Sequence, residues 1–261
     1  MAKRSALFGS DNIQKTISFL AITRSALGEV HTNFDAETIN EELKQEEYLK
    51  PISLGFGWSE TFQTSRLTQD AYERIENILR LYRTSISMNL VIGNAAYGLN
   101  PSSKSLEQAA RRLAPLCDRV GLKLGAEGWL NGVKVIDLAK KIGASAYILH
   151  TPLTGELLHY AKSKRIDSIV YTLCRIGKSR EEAMRDLIQI KGDGYFNRRG
   201  ISRESIPMRL GDYALFGTTS DISEQILSIQ ANGGTKVALY LVSQNLRDLV
   251  RQFSMLSSIL A

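Results

Sequence analysis

The stretch Lys123-Leu124-Gly125-Ala126-Glu127-Gly128-Trp129 decides the fold prediction, because it has the pattern of a buried strand that runs into a glycine-flanked turn and then a helix. The apolar residues that follow recur at three- and four-residue spacing, and the run ends at Gly143. The first N–H groups of a helix lack intrahelical partners and lie at the positive end of its dipole, so they can bind an anion. Gly125, Ala126, Glu127 and Gly128, termed the 125–128 turn, are therefore a candidate phosphate site. A plain connection gives the same pattern, and Glu127 there also suits ordinary dipole compensation.

Outward from this turn, short apolar runs alternate with amphipathic runs from about residue 50 almost to the C-terminus. This alternation predicts βαβ units and a parallel sheet. The predicted strands are 51–55, 87–93, 122–125, 146–150, 167–174 and 236–242. The predicted helices are 68–83, 105–119, 130–142, 154–163, 179–190, 221–231 and 245–256. Segment 201–213 is predicted to be a loop with one helical turn, because Pro207 and Gly211 interrupt it.

The first 50 residues differ in character from the rest. They predict one strand at 15–22 and a Glu-rich, solvated helix at 35–49, which leaves room for one or two βα units. The total of 261 residues matches a single α/β barrel, for which about 250 residues are typical. We therefore expect one domain over residues 1–261.

Composition narrows the class of protein. With 43% hydrophobic and 23% charged residues, the chain is expected to be globular. It has no apolar run of membrane-spanning length and no signal peptide pattern, which predicts a cytoplasmic protein with no membrane partner. Cys117 and Cys174 lack metal or redox spacing, so we expect two buried thiols and no metal.

A net charge of +6 does not by itself indicate nucleic acid, because the basic residues are spread along the chain. The densest patch also contains Asp193 and Glu204, and its only aromatic residues are Tyr195 and Phe196. Its basic members are Lys191, Arg198, Arg199, Arg203 and Arg209. We therefore expect no nucleic acid partner, and a surface that suits an anionic small molecule.

Other candidate site residues follow predicted strands, at the edge where an α/β barrel has its active site. Gly55 and Gly57 would let a ligand approach the backbone closely, although a tight turn explains them equally. His150 is a candidate ligand contact, and its alternative is a histidine satisfied at the barrel rim. The segment Gly217-Thr218-Thr219-Ser220 resembles another loop that could bind an anion. Its hydroxyl groups could equally cap the helix that follows.

Strong catalytic motifs are absent from the sequence. It has no G-x-x-x-x-G-K-[ST], G-x-S-x-G, H-E-x-x-H or G-x-G-x-x-G pattern. P-loop chemistry, a serine triad and zinc catalysis are therefore disfavoured, and no catalytic acid or base can be named.

Four stretches of the sequence form an ordered set: Ile52-Ser53-Leu54-Gly55-Phe56-Gly57-Trp58, Leu122-Lys123-Leu124-Gly125-Ala126-Glu127-Gly128, Gly143-Ala144-Ser145-Ala146-Tyr147-Ile148-Leu149-His150 and Phe216-Gly217-Thr218-Thr219-Ser220-Asp221-Ile222. In this order they resemble the luciferase-like family of flavin- and deazaflavin-dependent oxidoreductases, which includes bacterial luciferase and methylenetetrahydromethanopterin reductase. The resemblance covers about residues 51–253. It implies a TIM (β/α)8-type barrel, a monooxygenase or reductase activity on a small-molecule substrate, and FMN or coenzyme F420 as the cofactor. By the same resemblance the 125–128 turn would hold the cofactor phosphate, with Gly55, Gly57 and His150 lining the pocket.

The chain departs from the family pattern in three places. The Asp of the family's Ala-Asp-Gly segment is missing around Ser145, and Trp129 stands where the family has proline. Family members have two or three βα units before the strand that contains Gly55, so we expect a barrel that is incomplete or rebuilt at its N-terminus.

Two other functions stay open at this point. A non-catalytic flavin-binding or interaction protein could derive from the same fold, and its missing strands would expose sheet edges and favour a homo-oligomer such as a dimer. An unrelated TIM-barrel enzyme could instead bind a phosphorylated substrate at the 125–128 turn. The substrate and the choice between FMN and F420 cannot be derived from the sequence.

Overall fold

A computed structural model of the chain describes residues 5–8, 29–33, 52–56, 73, 76–77, 80, 88–93, 104–124, 129–197 and 200–260. Within these residues, nine parallel strands form one sheet. The strands are β1 (Ser5–Phe8), β2 (Glu29–Asn33), β3 (Ile52–Phe56), β4 (Met88–Gly93), β5 (Arg119–Leu124), β6 (Ser145–Leu149), β7 (Ser168–Ile176), β8 (Ala214–Gly217) and β9 (Lys236–Leu241).

Eight of the strands pair in a ring. Strands β1 to β6 pair in sequence order, β6 pairs with β7, β7 pairs with β9, and β9 pairs with β1. The nine-residue β7 meets β6 along its first half and β8 along its second half, where Leu173 is opposite Ala214. Its other edge pairs with β9 from Ile169 to Cys174, so β8 extends the sheet at the C-terminal end of the ring.

Helices follow most strands of the second half, as expected for crossovers between parallel strands. They are α1 (Lys104–Leu113), α2 (Trp129–Ile142), α3 (Thr154–Ser163), α4 (Arg180–Asn197), α5 (Ile206–Arg209), α6 (Thr219–Ala231) and α7 (Leu246–Leu260). Gly192 interrupts α4 with φ of 68°, a left-handed conformation that glycine adopts without strain. No helix of the described residues is both long and apolar enough to cross a membrane.

The two faces of the strands belong to different clusters. Val170, Cys174 and Leu239 pack with residues of the helices in the main hydrophobic core. Tyr171 and Ala238 alternate with them and belong to a separate cluster on the opposite face. Because successive strand residues point to opposite faces, the first cluster lies between ring and helices, and the second fills the interior of the ring.

The six strands predicted from about residue 50 onward are confirmed, with boundary differences of up to three residues. All seven predicted helices are also present where described, since Glu73, Glu76, Asn77 and Arg80 are helical within 68–83. The predicted helix 105–119 is too long, because α1 ends at Leu113 and Arg119 already belongs to β5. The sequence prediction missed β1, β2 and β8, which have only four or five residues each and no clear periodicity. Residues 15–22 and 35–49 lie outside the described residues.

The N-terminal region contributes two strands to the ring. Strand β1 pairs with both β2 and β9, and β2 pairs with both β1 and β3. The first 50 residues therefore take part in the barrel, and two strands precede β3. The expectation of a rebuilt N-terminal part stays a prediction. Segment 201–213 consists of three short helical turns, Arg203–Ser205, α5 and Leu210–Asp212, in place of the predicted loop with one turn.

Candidate functional site at the C-terminal ends of the strands

The predicted site residues follow parallel strands, whose carboxyl ends meet at one edge of the barrel. Gly55 lies in β3, where it is opposite Asn33 of β2 and Val91 of β4. Gly57 and the whole 125–128 turn lie outside the described residues. Because β5 ends at Leu124 and α2 begins at Trp129, that turn is the connection between them.

The N-terminus of α2 has two properties that bear on anion binding. Its first turn contains no acidic residue. Its first residue, Trp129, packs edge-on against Tyr160 of α3, with the ring centroids 5.8 Å apart. The large ring that replaces the family's proline therefore makes its contact with the neighbouring helix. The Tyr160 hydroxyl in turn donates to Asp137 Oδ1 at 2.9 Å, which joins α3 to α2.

His150 comes directly after β6 and is held by two hydrogen bonds. Its backbone N–H donates to Tyr171 O at 3.0 Å, and its ring Nδ1 lies 2.8 Å from Thr172 Oγ1. Burial lowers the pKa of His150 to about 4, although the Asp212 carboxylate acts in the opposite direction. The imidazole is therefore neutral at physiological pH, as in a histidine that is satisfied at the barrel rim.

Aromatic side chains occupy the interior of the ring. Tyr147 of β6 and Tyr171 of β7 are 1% and 2% exposed, and they cluster with Ile169 and Ala238. Tyr240 of β9 packs against this cluster from the C-terminal side. Gly121 of β5 makes room for one ring, because a Cβ there would lie 2.2 Å from Tyr147 Cε2. Tyr147 and Tyr171 are thus packed inside the barrel, and of these three rings only that of Tyr240 is partly exposed.

A buried cation ties the end of β7 to two helices. Arg175 is 2% exposed, and its Nη2 donates to Asp186 Oδ2 of α4 at 2.5 Å. Its Nη1 donates to Asp248 Oδ2 of α7 at 2.5 Å and to Val242 O at 3.0 Å. Burial alone would lower the pKa of Arg175, but the hydrogen bonds to Asp248 and Asp186 outweigh it and raise this pKa. The guanidinium therefore stays charged inside the protein.

The next residue of β7 is also bound by a buried side chain. Gln252 of α7 is fully buried, and its Oε1 accepts from Ile176 N at 2.7 Å. Its Nε2 donates to Ile176 O at 2.7 Å. The backbone polar groups at the end of β7 are thus satisfied by the chain itself.

The segment Gly217-Thr218-Thr219-Ser220 is a helix cap in the structure. Thr218 caps α6, and its Oγ1 accepts from Asp221 N at 3.3 Å. Asp221 Oδ2 accepts from both Thr218 N and Thr218 Oγ1 at 2.7 Å, and the side-chain and backbone hydrogen bonds from Thr218 lower the pKa of Asp221. Of the two alternatives for this segment, the helix cap is therefore confirmed and the anion-binding loop is not, because the Asp221 carboxylate already occupies the N-terminus of α6.

Neither described cysteine has the features of a reactive thiol. Cys174 is buried, and burial raises its pKa to about 12 despite the nearby charge of Arg175. Cys117 is half-buried, which corrects the expectation that both are buried, and its Sγ lies 3.5 Å from Leu113 O as a weak donor. His159 of α3 is exposed.

Sequence reasoning missed the interior tyrosines, Gly121 and Arg175. A signal for the tyrosines was present, since Tyr147, Tyr171 and Tyr240 each stand next to aliphatic residues in a strand. Strand alternation then puts each tyrosine on the face opposite its aliphatic neighbours. Nothing in the sequence pairs Arg175 with Asp248, which is 73 residues away.

Comparison with known proteins finds no matching protein-family model and no matching curated protein. Solved structures match over nearly the whole chain. The crystal structure of monooxygenase RslO1 from Streptomyces bottropensis matches with a TM-score of 0.68 at 11% identity, with 98% of each chain covered. An F420-dependent secondary alcohol dehydrogenase in complex with an F420-acetone adduct matches with a TM-score of 0.67 at 9% identity, over 100% of both chains.

A third structure is the oxygenating constituent of 3,6-diketocamphane monooxygenase from Pseudomonas putida, a type II Baeyer-Villiger monooxygenase in complex with FMN. It matches with a TM-score of 0.60 at 12% identity, over 100% of this chain and 97% of that chain. The chain therefore shares its fold with these three enzymes. The predicted TIM-barrel class is thereby confirmed, and at these identities the likeness extends to the fold alone.

Proposed function

We infer that the chain is an oxidoreductase of the luciferase-like class, a monooxygenase or reductase that uses FMN or F420. The observation that carries this proposal is the full-length fold match to enzymes of which one is in complex with FMN and another with an F420 adduct. When bound, such a cofactor supplies the hydride or oxygen chemistry, and the protein binds it, orients it and excludes water.

Two features of the described residues support a planar, phosphate-bearing ligand at the C-terminal edge. Tyr240 of β9 is partly exposed where it packs against the interior cluster, and an aromatic face of this kind can bind a ring system. The first turn of α2 has no acidic residue, which suits an anion. We place the cofactor phosphate at Gly125, Ala126, Glu127 and Gly128, and the pocket wall at Gly55, Gly57 and His150.

The first experiment is to purify the protein and identify any released cofactor, and then to titrate it with FMN and with F420. Binding of one of them is expected, and after its reduction with dithionite the bound cofactor should be reoxidised in the presence of an acceptor substrate. A colourless protein that binds neither would contradict the proposal. Binding without turnover, while dithionite still reduces the bound cofactor, would favour the non-catalytic alternative.

The second experiment places the phosphate. Gly125→Val should crowd the backbone of the 125–128 turn and weaken cofactor binding by about tenfold or more, with a modest effect on folding. Gly155→Val is the matched control, since Gly155 lies in the first turn of α3 and a Cβ there meets nothing within 4 Å. Equal affinities of the two variants would show that the phosphate is bound elsewhere.

That the protein forms a homo-oligomer stays a prediction, and one argument for it, the exposed sheet edges, is weakened. The non-catalytic alternative assumed missing strands with exposed edges, whereas β1 and β2 each pair on both edges. Self-association, if it occurs, would need a surface other than an open edge of these strands. Gel filtration with light scattering on the full chain measures the oligomeric state.

A further inference from the structure

Lys123 of β5 lies on the interior face of the ring, and three observations place it there. It is in register with Tyr147 of β6, which belongs to the interior cluster, and residues in register on neighbouring strands share a face. Gly121, two residues earlier and therefore on the same face, lies against the ring of Tyr147. Leu122, between the two, is buried in the main core outside the ring. A lysine therefore occupies an interior position near the C-terminal end of β5.

The other charged residues of this face follow from the same register and alternation. Ala238 of the interior cluster is in register with Ala6 of β1, and Ala6 is in register with Glu29 of β2. Every second residue along each strand then shares the interior face. The charged residues at interior positions of the described strands are Glu29, Arg119, Lys123, Arg175 and Lys236.

These charges are unevenly placed along the barrel. Glu29 is the only carboxylate among the interior positions of the described strands, and it is the first residue of β2. Arg119 and Lys236 are the first residues of β5 and β9, so they lie at the same N-terminal end as Glu29. Lys123, the last residue but one of β5, shares the C-terminal end with Arg175. Arg175 is bound there by two helix carboxylates, whereas the interior positions of the described strands offer none to Lys123.

A lysine at an interior position of a barrel is unusual and costly. Such positions ordinarily carry bulky apolar residues, and a lysine is almost never fully buried unless it is paired. Gly93 of β4 is in register with Lys123 on the side opposite to Tyr147. One neighbouring position on this face therefore has no side chain beyond Cα, and the other has an aromatic ring. A small anion beside Lys123 would balance its charge.

We propose that Lys123 binds the carboxylate group of a small carboxylic acid substrate at the C-terminal end of the ring interior. One ammonium group balances one monoanionic carboxylate, whereas the double charge of a phosphate would call for a second cation. This inference rests on the proposed function, because that function makes the ligand a substrate, and it adds the chemical class of this substrate. It does not depend on where the cofactor phosphate is bound.

The test compares carboxylates with their neutral amides. Acetate and acetamide, propionate and propionamide, and benzoate and benzamide are titrated by calorimetry into the unchanged protein, Lys123→Met and Lys123→Arg, in a buffer without other carboxylates. Lys164→Met is the surface control, because Lys164 lies on the outer helix α3 beside Asp137. Lys236→Met removes the interior lysine at the opposite end of the ring.

At least one carboxylate should bind the unchanged protein about tenfold more tightly than its amide, as expected for a hydrogen bond to a charged group. Lys123→Met should abolish this preference, and Lys123→Arg should retain part of it. Lys164→Met and Lys236→Met should both retain it. Without ligand, the urea midpoint of Lys123→Met should equal or exceed that of the unchanged protein, because the variant no longer has to bury a charge.

Several outcomes would overturn the inference. One is that no carboxylate is preferred over its amide, and another is that the preference survives in Lys123→Met. A lower urea midpoint of Lys123→Met would show that a carboxylate of the chain, such as Glu127, is the partner of Lys123. If Lys123→Met loses affinity for FMN but not for riboflavin, Lys123 binds the cofactor phosphate instead.

The proposed function is judged separately, by the binding of FMN or F420 to the unchanged protein. Cofactor binding without a preference for carboxylates supports the function and overturns the inference. A carboxylate preference that depends on Lys123, in a protein that binds neither cofactor, contradicts the function and leaves Lys123 as a carboxylate site without the role in a redox substrate that the inference gives it.

Discussion

The two sides of the C-terminal edge use their polar groups differently. On the side of β7, β8 and β9, the chain's own side chains occupy them: Asp186 and Asp248 hold Arg175, Gln252 holds the backbone of Ile176, and Asp221 caps α6. On the side of β5, the first turn of α2 has no acidic residue. The turn before α6 is thus a structural cap, because its carboxylate comes from the first turn of the helix that follows. The turn before α2 has no such partner in its helix and stays a candidate anion site, with Glu127 as the carboxylate nearest to it in the sequence.

The largest effect is expected from breaking the β7 side at Arg175. Arg175→Met leaves Asp186 and Asp248 without their buried partner, and this should lower the free energy of unfolding by about 3 kcal/mol. Urea denaturation at pH 7 measures the loss. The double variant R175M/D248N should recover part of it, because one uncompensated carboxylate is gone. Equal stability of R175M and the unchanged protein would show that the ion pairs do not hold this side together.

An intermediate effect on the free energy of unfolding is expected at His150, which follows β6. Its folded pKa of about 4 lies below the ordinary 6.5, so the unfolded chain binds a proton in this window before the folded protein does. The free energy of unfolding should therefore fall as the pH is lowered from about 6.5 to about 4, by about 2 kcal/mol.

His150→Gln, which keeps a hydrogen-bonding group near Thr172, should reduce this pH dependence. Urea denaturation at several pH values compares the two proteins. His159→Gln is the matched control, because His159 is exposed on α3. If the free energy of unfolding of the His150 variant still falls with pH in the same way, other titratable groups cause this pH dependence.

The smallest effect on the free energy of unfolding is expected from weakening the cap of α6, which follows β8. Asp221→Asn weakens the reciprocal hydrogen bonds with Thr218 and should cost about 1 kcal/mol at pH 7. Because the folded pKa of Asp221 is lowered, its contribution is present above the ordinary carboxyl pKa and is lost as the pH falls through the folded value. The difference between the variant and the unchanged protein should therefore shrink on acidification.

Cofactor binding adds a second comparison to the same variant. Asp221→Asn should leave FMN and F420 affinity unchanged, whereas Gly125→Val should weaken it. If instead the Asp221 variant loses cofactor affinity, the β8 turn contributes to binding and the contrast between the two sides fails.

Much of the barrel was predictable because its signals are local. The 3.6-residue period of α2 and α3, the strand run of β7 and the cap at Thr218 each depend on a few neighbouring residues. The short strands β1, β2 and β8 were missed for the converse reason. They gain their hydrogen bonds from partners such as β9 and β7, far away in the sequence.

The candidate site also has parts that could be predicted from local sequence and parts that could not. The sequence placed the 125–128 turn between β5 and α2, since strand, glycines and helix are adjacent in the chain. Alternation divides the residues of each strand between two faces, but it does not show which residues of different strands meet inside the ring. Gly121 has a clear role only beside the ring of Tyr147.

The sequence by itself determined that strands and helices alternate, where most of them begin and end, and which family the chain resembles. Periodicity and capping act over a few residues, so they can be read along the chain. The tertiary structure alone decided the ring order of the strands, the burial of Arg175 between two helices, and the position of Lys123 on the interior face of the ring. These features depend on the register between distant segments, and that register is set only when the apolar faces are buried together.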